Sequence, residues 1–345
     1  MLFKIRKRID KELFRFLRTL DREYAVKKIS PLLFKHIREF TLRKGKRIRP
    51  LLFVVAYLGF AKKETPGLYT SALSLELLHD FMLVHDDIID KSDTRRGKPS
   101  MHRMFKSYLA GYRNIKFSGQ DLAIVAGDVM YAMAIDAFLA IKENMVRKER
   151  ALKKFIRAAI YTGGGEFIEL LCGAKNISQT SRLDIYKIYD FKTANYTFAT
   201  PLASGAILAG ADDNQVKRLF QYGLYLGRAF QIKDDILGMF SNEKKIGKSN
   251  LTDLKEAKQT LLIWRAFNQA DKKNKTIIKN LLGKKNADRK DLLRMRKIVM
   301  DTGALDYCQK QIQNSMNRAQ ALITNSRISP AYKHTLQTLA KELLL

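Results

Sequence analysis

Two short runs hold the residues best suited to chemistry: HDDIID, from His85 to Asp90, and KDDILG, from Lys233 to Gly238. Each closes an apolar stretch with helical spacing, and their leading aspartates stand 148 residues apart. On a helix, positions i and i+4 share a face, so Asp86 and Asp90 point together with Asp87 beside them. Clustered carboxylates repel unless a cation lies among them. Oxygen-only donors suit Mg²⁺, which keeps several waters and bridges one or two carboxylates to phosphate oxygens. Asp234 supplies the corresponding ligand from the second run, with Asp235 adjacent. Two such helices facing each other across a bundle could clamp one diphosphate through shared metals. Either run alone could be acidic residues at a helix end paired with nearby Lys and Arg. Their recurrence in one helical chain argues against that for both.

Basic residues occur where an anion would need them. GKRIRP (Gly45 to Pro50) sets Lys46 and Arg49 one turn apart, beside a glycine that lets backbone approach a ligand. Arg95 and Arg96 follow Asp90 within six residues, in a turn-rich segment, and arginine forks fit phosphate oxygens bidentately. No Ser–His–Asp or Cys–His constellation is evident, and the five histidines (His36, His79, His85, His102, His334) lack metal-ligand spacing. The two cysteines, Cys172 and Cys308, cannot build a disulfide framework or a four-thiolate metal site, which makes a reducing compartment the expectation.

The elements that must position these groups are helices. Apolar residues recur at three- and four-residue spacing almost throughout, and period-two alternation is nearly absent. TSALSLELLHDFMLVHD, DLAIVAGDVMYAMAIDAFLAI and QVKRLFQYGLYLGRAFQIKDD read as helices buried on most sides. Breakers separate such runs at Pro31, Pro50, Thr65 to Gly67, Arg95 to Ser100, Gly163 to Gly165 and Pro201. An all-α fold follows: one domain over residues 1–345, a bundle of about a dozen mostly antiparallel helices around a deep central cavity. The first twenty residues form an amphipathic helix, with Ile9, Leu13, Phe16, Leu17 and Leu20 on one face. No charge-free apolar window long enough to cross a membrane is expected, and a cytoplasmic protein is the corresponding expectation.

The ordered motifs GKRIRP, ELLHDFMLVHDDIIDKSDTRRGKPS, AIVAGDVMYA, GGEFIEL, DFKTANYTF and GRAFQIKDDILGMF, followed by Gly247, Lys248, Asp253 and Lys258, span roughly Gly45 to Lys258. This series resembles the trans-isoprenyl diphosphate synthases, the short-chain geranylgeranyl and farnesyl type in particular. The resemblance implies an isoprenoid-synthase fold and a prenyltransferase that condenses an allylic diphosphate with isopentenyl diphosphate. It implies that Asp86, Asp87, Asp90, Asp234 and Asp235 hold three Mg²⁺ ions, with Mn²⁺ as a substitute. Arg95, Lys192, Lys248 and Lys258 would bind the allylic diphosphate. Gly45, Lys46, Arg49, His79 and Arg96 would bind isopentenyl diphosphate. Thr193 and Gln231 would steady the cation, and the assembly would be a homodimer. An aromatic residue five positions before the first aspartate resembles the C20 pattern, with C15 next. Phe81 and Met82, about 6 to 7.5 Å back along the helix axis from Asp86, would then form the floor that limits product length.

The sequence departs from the family pattern at Gly238, where many members carry a third aspartate. It departs again at Glu166 and Glu169, which replace Gln and Asp, and at Leu251 and Ala257, which replace glycines. A formal net charge of +30 points to an anionic partner. Seventeen basic and five acidic residues fall in the first fifty, and eleven basic and three acidic between Asp271 and Met300. Most of that excess lies outside the proposed clamps, as solvated surface, for steering substrates or for peripheral contact with an anionic membrane. Nucleic-acid binding has only the charge in its favour, because no reader motif accompanies it. A terpene cyclase would have no use for the isopentenyl diphosphate clamp. A non-catalytic subunit would not need all five aspartates.

Overall fold

The computed structural model describes residues 1–61, 63–241 and 250–344. They are almost entirely helical, as the spacing predicts, apart from one pair of two-residue strands. The chain forms two compact units, Met1–Leu152 with Ser204–Gly210, and Lys153–Ala203 with Ala211–Leu345.

In the first unit, helix α1 (Leu2–Tyr24) buries Ile5, Ile9, Leu13, Phe16, Leu17 and Leu20 as one stripe. The short α2 (Val26–Ile29) leads to α3 (Pro31–Thr41), whose start is set by the Ser30 hydroxyl accepting from Leu33 N–H, with Pro31 in the first turn. Next come α4 (Ile48–Phe60), α5 (Leu68–Ile89), α6 (Met101–Leu109) and α7 (Gly119–Leu139). Helices α4 and α5 are apolar nearly all round because both are core helices. A Ser118–Asp121 capping box starts α7. By length and composition α7 is apolar enough to cross a bilayer, although Asp121, Asp128 and Asp136 keep it from being the charge-free window that the sequence is expected to lack. It packs instead on α5 and α6, burying Ala126, Gly127, Met130 and Ala134, as a core helix does. Its register on α5 is close: a Cβ on Gly127 would lie 2.6 Å from Nε2 of His85.

The second unit takes most of α8 (Met145–Ala174), then α9 (Arg182–Ile188), capped by Ser181 and Asp184. A π-helical stretch, Tyr189–Ala199, runs into α10 (Thr200–Leu208), and α11 (Asp213–Phe240) follows after the Asp212 cap. Glycines one turn apart let α11 lie directly on the π-helical backbone. A Cβ at Gly227 would come 2.3 Å from Cα of Ala194, and one at Gly223 2.5 Å from Cα of Ala199. That contact sets the register between Lys192–Thr193 and Gln231. The later helices, among them Leu261–Gln269 and Arg289–Asp301, close a core that includes Ile185, Tyr189, Ile232, Leu261, Met295 and Cys308. Both cysteines are buried thiols.

Candidate active site

Helix α5 carries one group of functional side chains. On its last turn Asp86 and Asp90 are half-buried, and Asp90 N–H closes the helix on the Asp86 carbonyl at 2.8 Å. Asp87 turns inward and is fully buried. Arg95 donates to its Oδ1 through Nε at 2.8 Å and through Nη2. Burial pushes the Asp87 carboxyl up from its ordinary value, against the pull of Arg95. Its Oδ2 is buried and accepts no hydrogen bond among the described residues. Among those residues, no three Asp, Glu, His or Cys side chains already converge as a metal cage. The aspartates suit a divalent ion through their hard oxygen donors, one of them buried and unused. Arg95 holds Oδ1 of Asp87 and leaves Oδ2 for such an ion.

Arg95 and Arg96 stand on a hairpin, β1 (Thr94–Arg95) against β2 (Lys98–Pro99). Its central residues, Arg96 and Gly97, both take positive φ, as a tight two-residue hairpin turn demands. The turn sends Arg96 back onto α5, where Nη2 lies 3.4 Å from Asp80 Oδ1 and 3.7 Å from Glu76 Oε1. Gly45 packs against the same guanidinium, its Cβ position 3.5 Å from Cζ. His79 is held well below its ordinary pKa by burial and by the charges of Arg49, Arg96, Arg95 and Arg47, so it is a neutral imidazole. Gly45, Arg49, His79 and Arg96 therefore fall together. Lys46 is exposed on the same loop.

Sequence reasoning passed over Arg47, between the two predicted basic residues. It is 3% exposed and left-handed, with φ of 50°. Its guanidinium donates to Glu76 Oε1 at 2.6 Å, Asp10 Oδ1 at 2.9 Å, and the carbonyls of Thr41 and Arg43 at 3.3 and 2.9 Å. It thus ties the C-terminal end of α3 to α5 and α1. No spacing rule could have singled it out, since its partners are defined only by the packed helices.

Deeper along α5, the Phe81 ring lies 4.6 Å from His85 and 5.2 Å from Tyr131 of α7, centroid to centroid. Met82 is half-buried beside it. Tyr131 is a neighbour of Phe81 that the α5 sequence alone could not reveal.

In the second unit the π-helical stretch and α11 build a relay. Thr193 Oγ1 donates to Gln231 Oε1 at 2.7 Å, and Gln231 Nε2 donates to Asp235 Oδ1 at 2.9 Å. The Tyr189 hydroxyl donates to Asp235 Oδ2 and accepts from Leu261 N–H at 2.8 Å. Asp235 is buried and orients Gln231, while Asp234 on the next position is exposed. Lys192 pairs with both Glu166 and Glu169, which accounts for the unexpected Glu166: the two carboxylates hold one ammonium. Lys258 pairs with Glu256 at 2.9 Å. Gly247 and Lys248 lie outside the described residues.

Comparison with known proteins extends over most of the chain. Residues 30–299 match the polyprenyl synthetase family. The geranylgeranyl diphosphate synthase of Sulfolobus acidocaldarius is 31% identical over 291 residues, covering 82% of each chain. The geranylfarnesyl diphosphate synthase of Aeropyrum pernix is 33% identical over 285 residues, 81% of this chain and 83% of that one. The fold matches a geranylgeranyl pyrophosphate synthase of Corynebacterium glutamicum, solved with isoprenyl diphosphate and magnesium. The TM-score is 0.91 at 28% identity, covering 100% of this chain and 99% of that one. Ordered motifs, sequence likeness and helical fold agree over the same residues, and the chain belongs to the polyprenyl synthetase family.

Proposed function

We propose that this trans-prenyltransferase joins an allylic diphosphate to isopentenyl diphosphate by ionisation, condensation and elimination, and that its product is C20 geranylgeranyl diphosphate. The observation that carries the reading is on α5 and its neighbours. Arg96, held against α5 with Gly45 packed on its guanidinium, would form with Arg49 and His79 an anion site distinct from the aspartates at Asp86 to Asp90, about two turns further along the helix. A condensing enzyme must hold two diphosphates; a cyclase must hold one.

In this reading Asp86, Asp87 and Asp90, with Asp234 and Asp235, hold divalent ions: three Mg²⁺, replaceable by Mn²⁺. Bound there, the ions would supply charge neutralisation for the departing diphosphate. Lys192, Arg95 and Lys258 would donate to the same diphosphate once it displaces their carboxylate partners, and Lys248 would join them. Thr193 and Gln231 present hydroxyl and carbonyl oxygens, held in place by Asp235 and Tyr189, and these steady the cation. Gly45, Lys46, Arg49, His79 and Arg96 would hold isopentenyl diphosphate with its double bond towards that cation. The proton lost on elimination goes to the departing diphosphate, so no side-chain base is required.

Relatives named for C20 and C25 products are about equally identical to this chain, so overall likeness does not set product length. In this reading Phe81, tilted against His85 and Tyr131, is the floor that would stop growth at C20. Radiolabelled isopentenyl diphosphate with Mg²⁺ and each allylic primer, followed by chromatography of the products, tests activity and length together. The wild type should accumulate C20. Phe81→Ala, which removes the ring, should shift the distribution to longer chains; an unchanged distribution would overturn the floor assignment. Hydrocarbon formed from the allylic diphosphate alone would indicate a cyclase.

Homodimerisation is proposed through the outer face of α7, where Ile124, Val125 and Leu139 are exposed. Peripheral contact with anionic lipid is proposed through the outer face of α1, where exposed Phe3 and Phe14 stand among Lys4, Lys11, Arg15, Arg18 and Arg22. Co-sedimentation with phosphatidylserine vesicles should be strong at low salt and weak at high salt. No pelleting at low salt would exclude that contact.

A further inference from the structure

Below the proposed isopentenyl diphosphate clamp, α5 buries a second carboxylate that the reaction scheme leaves unused. Asp80 is fully buried. Among the described residues neither of its oxygens accepts a hydrogen bond, although Arg96 Nη2 lies 3.4 Å from Oδ1. The nearby Arg96 Nη1 is buried and likewise has no hydrogen-bond acceptor among those residues. Glu76, one turn earlier, is engaged at 2.6 Å by Arg47, whose other donors are spent on Asp10, Thr41 and Arg43. Around Asp80, then, stand Glu76 and His79 from its own helix, Arg47 and Arg49 from the start of α4, and Arg96 from the hairpin. Of these arginines, Arg47 is committed elsewhere, and Arg96 faces Asp80 at 3.4 Å and, less closely, Glu76 at 3.7 Å.

We propose that Asp80 is a positioning residue for Arg96, and that its protonation decides how much of that guanidinium's charge reaches isopentenyl diphosphate. This rests on the assignment of Arg96 to the isopentenyl diphosphate site. Ionised Asp80 holds Arg96 as its counter-ion and places a negative charge beneath the clamp. Protonated Asp80 leaves that charge for the incoming diphosphate. Burial, reinforced by the charge of Glu76, pushes the Asp80 carboxyl up to about 8, against Arg96, Arg47 and Arg49. The acid is therefore protonated below that value and ionises as pH rises through it. Affinity for isopentenyl diphosphate should be high on the acid side of that window and fall on the alkaline side.

The test is the KM for isopentenyl diphosphate between pH 7 and pH 9, at saturating allylic diphosphate and Mg²⁺. One proton controlling binding predicts a rise of about tenfold in the wild type over this range. Asp80→Asn, which keeps the shape and cannot ionise, should flatten that rise. Asp80→Ser should do the same and serves if the asparagine variant does not fold. A wild-type KM that is flat over the range, or variants that rise as the wild type does, would overturn the proposal. Arg96→Ala separates the two levels. If it does not raise the KM for isopentenyl diphosphate, the site assignment itself fails. If it does raise that KM while Asp80→Asn still rises as the wild type does, only the role of Asp80 fails.

Discussion

Asp86→Ala should reduce condensation by about a thousandfold or more while leaving the protein folded. The size follows from what is removed. Losing one preorganised contact to a developing charge costs on the order of 10²–10³ in turnover, and a carboxylate that holds a metal carries more charge than such a contact. The structure explains why folding should survive. Asp86 is half-buried at the solvent end of α5, away from the core, and changes outside the core usually cost far less stability than those within it. Diphosphate release with Mg²⁺ and both substrates gives the rate, and far-UV circular dichroism confirms the fold. Turnover equal to the wild type would remove the aspartates from the mechanism. The neighbouring Asp87 would make a poorer probe. It is buried against Arg95, so its removal leaves a charge without its partner and confounds activity with stability.

Glu76→Ala should be the most destabilising of these changes, at about 3–5 kcal/mol, the usual cost of breaking a buried ion pair from one side. Glu76 is 2% exposed and Arg47 3%, so neither group can turn to water. Burial works against the Arg47 charge, yet the Glu76 carboxylate more than offsets it and holds the guanidinium above its ordinary pKa. Without Glu76, the charge that fastens α3 to α5 stays buried with only Asp10 and two carbonyls. Denaturant unfolding of the variant beside the wild type measures the loss. A difference below about 1 kcal/mol would mean that Arg47 finds compensation elsewhere, as exposed pairs typically do.

The contrast among Lys46, Arg47 and Arg49 marks how far spacing can be read. Helical periodicity sets Asp86 and Asp90 one turn apart, and the Asp90 N–H does bond the Asp86 carbonyl, because the end of a helix is fixed by local backbone bonds. The same reasoning sets Lys46 and Arg49 one turn apart, but the helix begins only at Ile48 and leaves Lys46 on the loop before it, and spacing says nothing of Arg47. That residue sits at a left-handed position where the helix has not begun, and the backbone there, not the period, aims its side chain. Spacing of four on α11 allows Gln231 to reach Asp235, but it could not foresee that Tyr189, 46 residues away, would hold the other oxygen of that carboxylate. Glu166 looked like an unexplained extra charge. Its role became visible only when the π-helical stretch brought Lys192 alongside α8.

The sequence by itself determined that the chain is all-helical, that carboxylates cluster on two helices, at the end of α5 and within α11, and that basic residues accompany the first of them. These are local properties, set by residue type and by a period of 3.6. The order of motifs determined the family. Tertiary structure decided which charges are buried and with what partners: Arg47 with Glu76, Arg95 with Asp87, Lys192 with two glutamates, and Asp80 facing Arg96. The physical reason is that an ionisable group answers to its dielectric and its nearest charges, and both are supplied by helices far away in the chain.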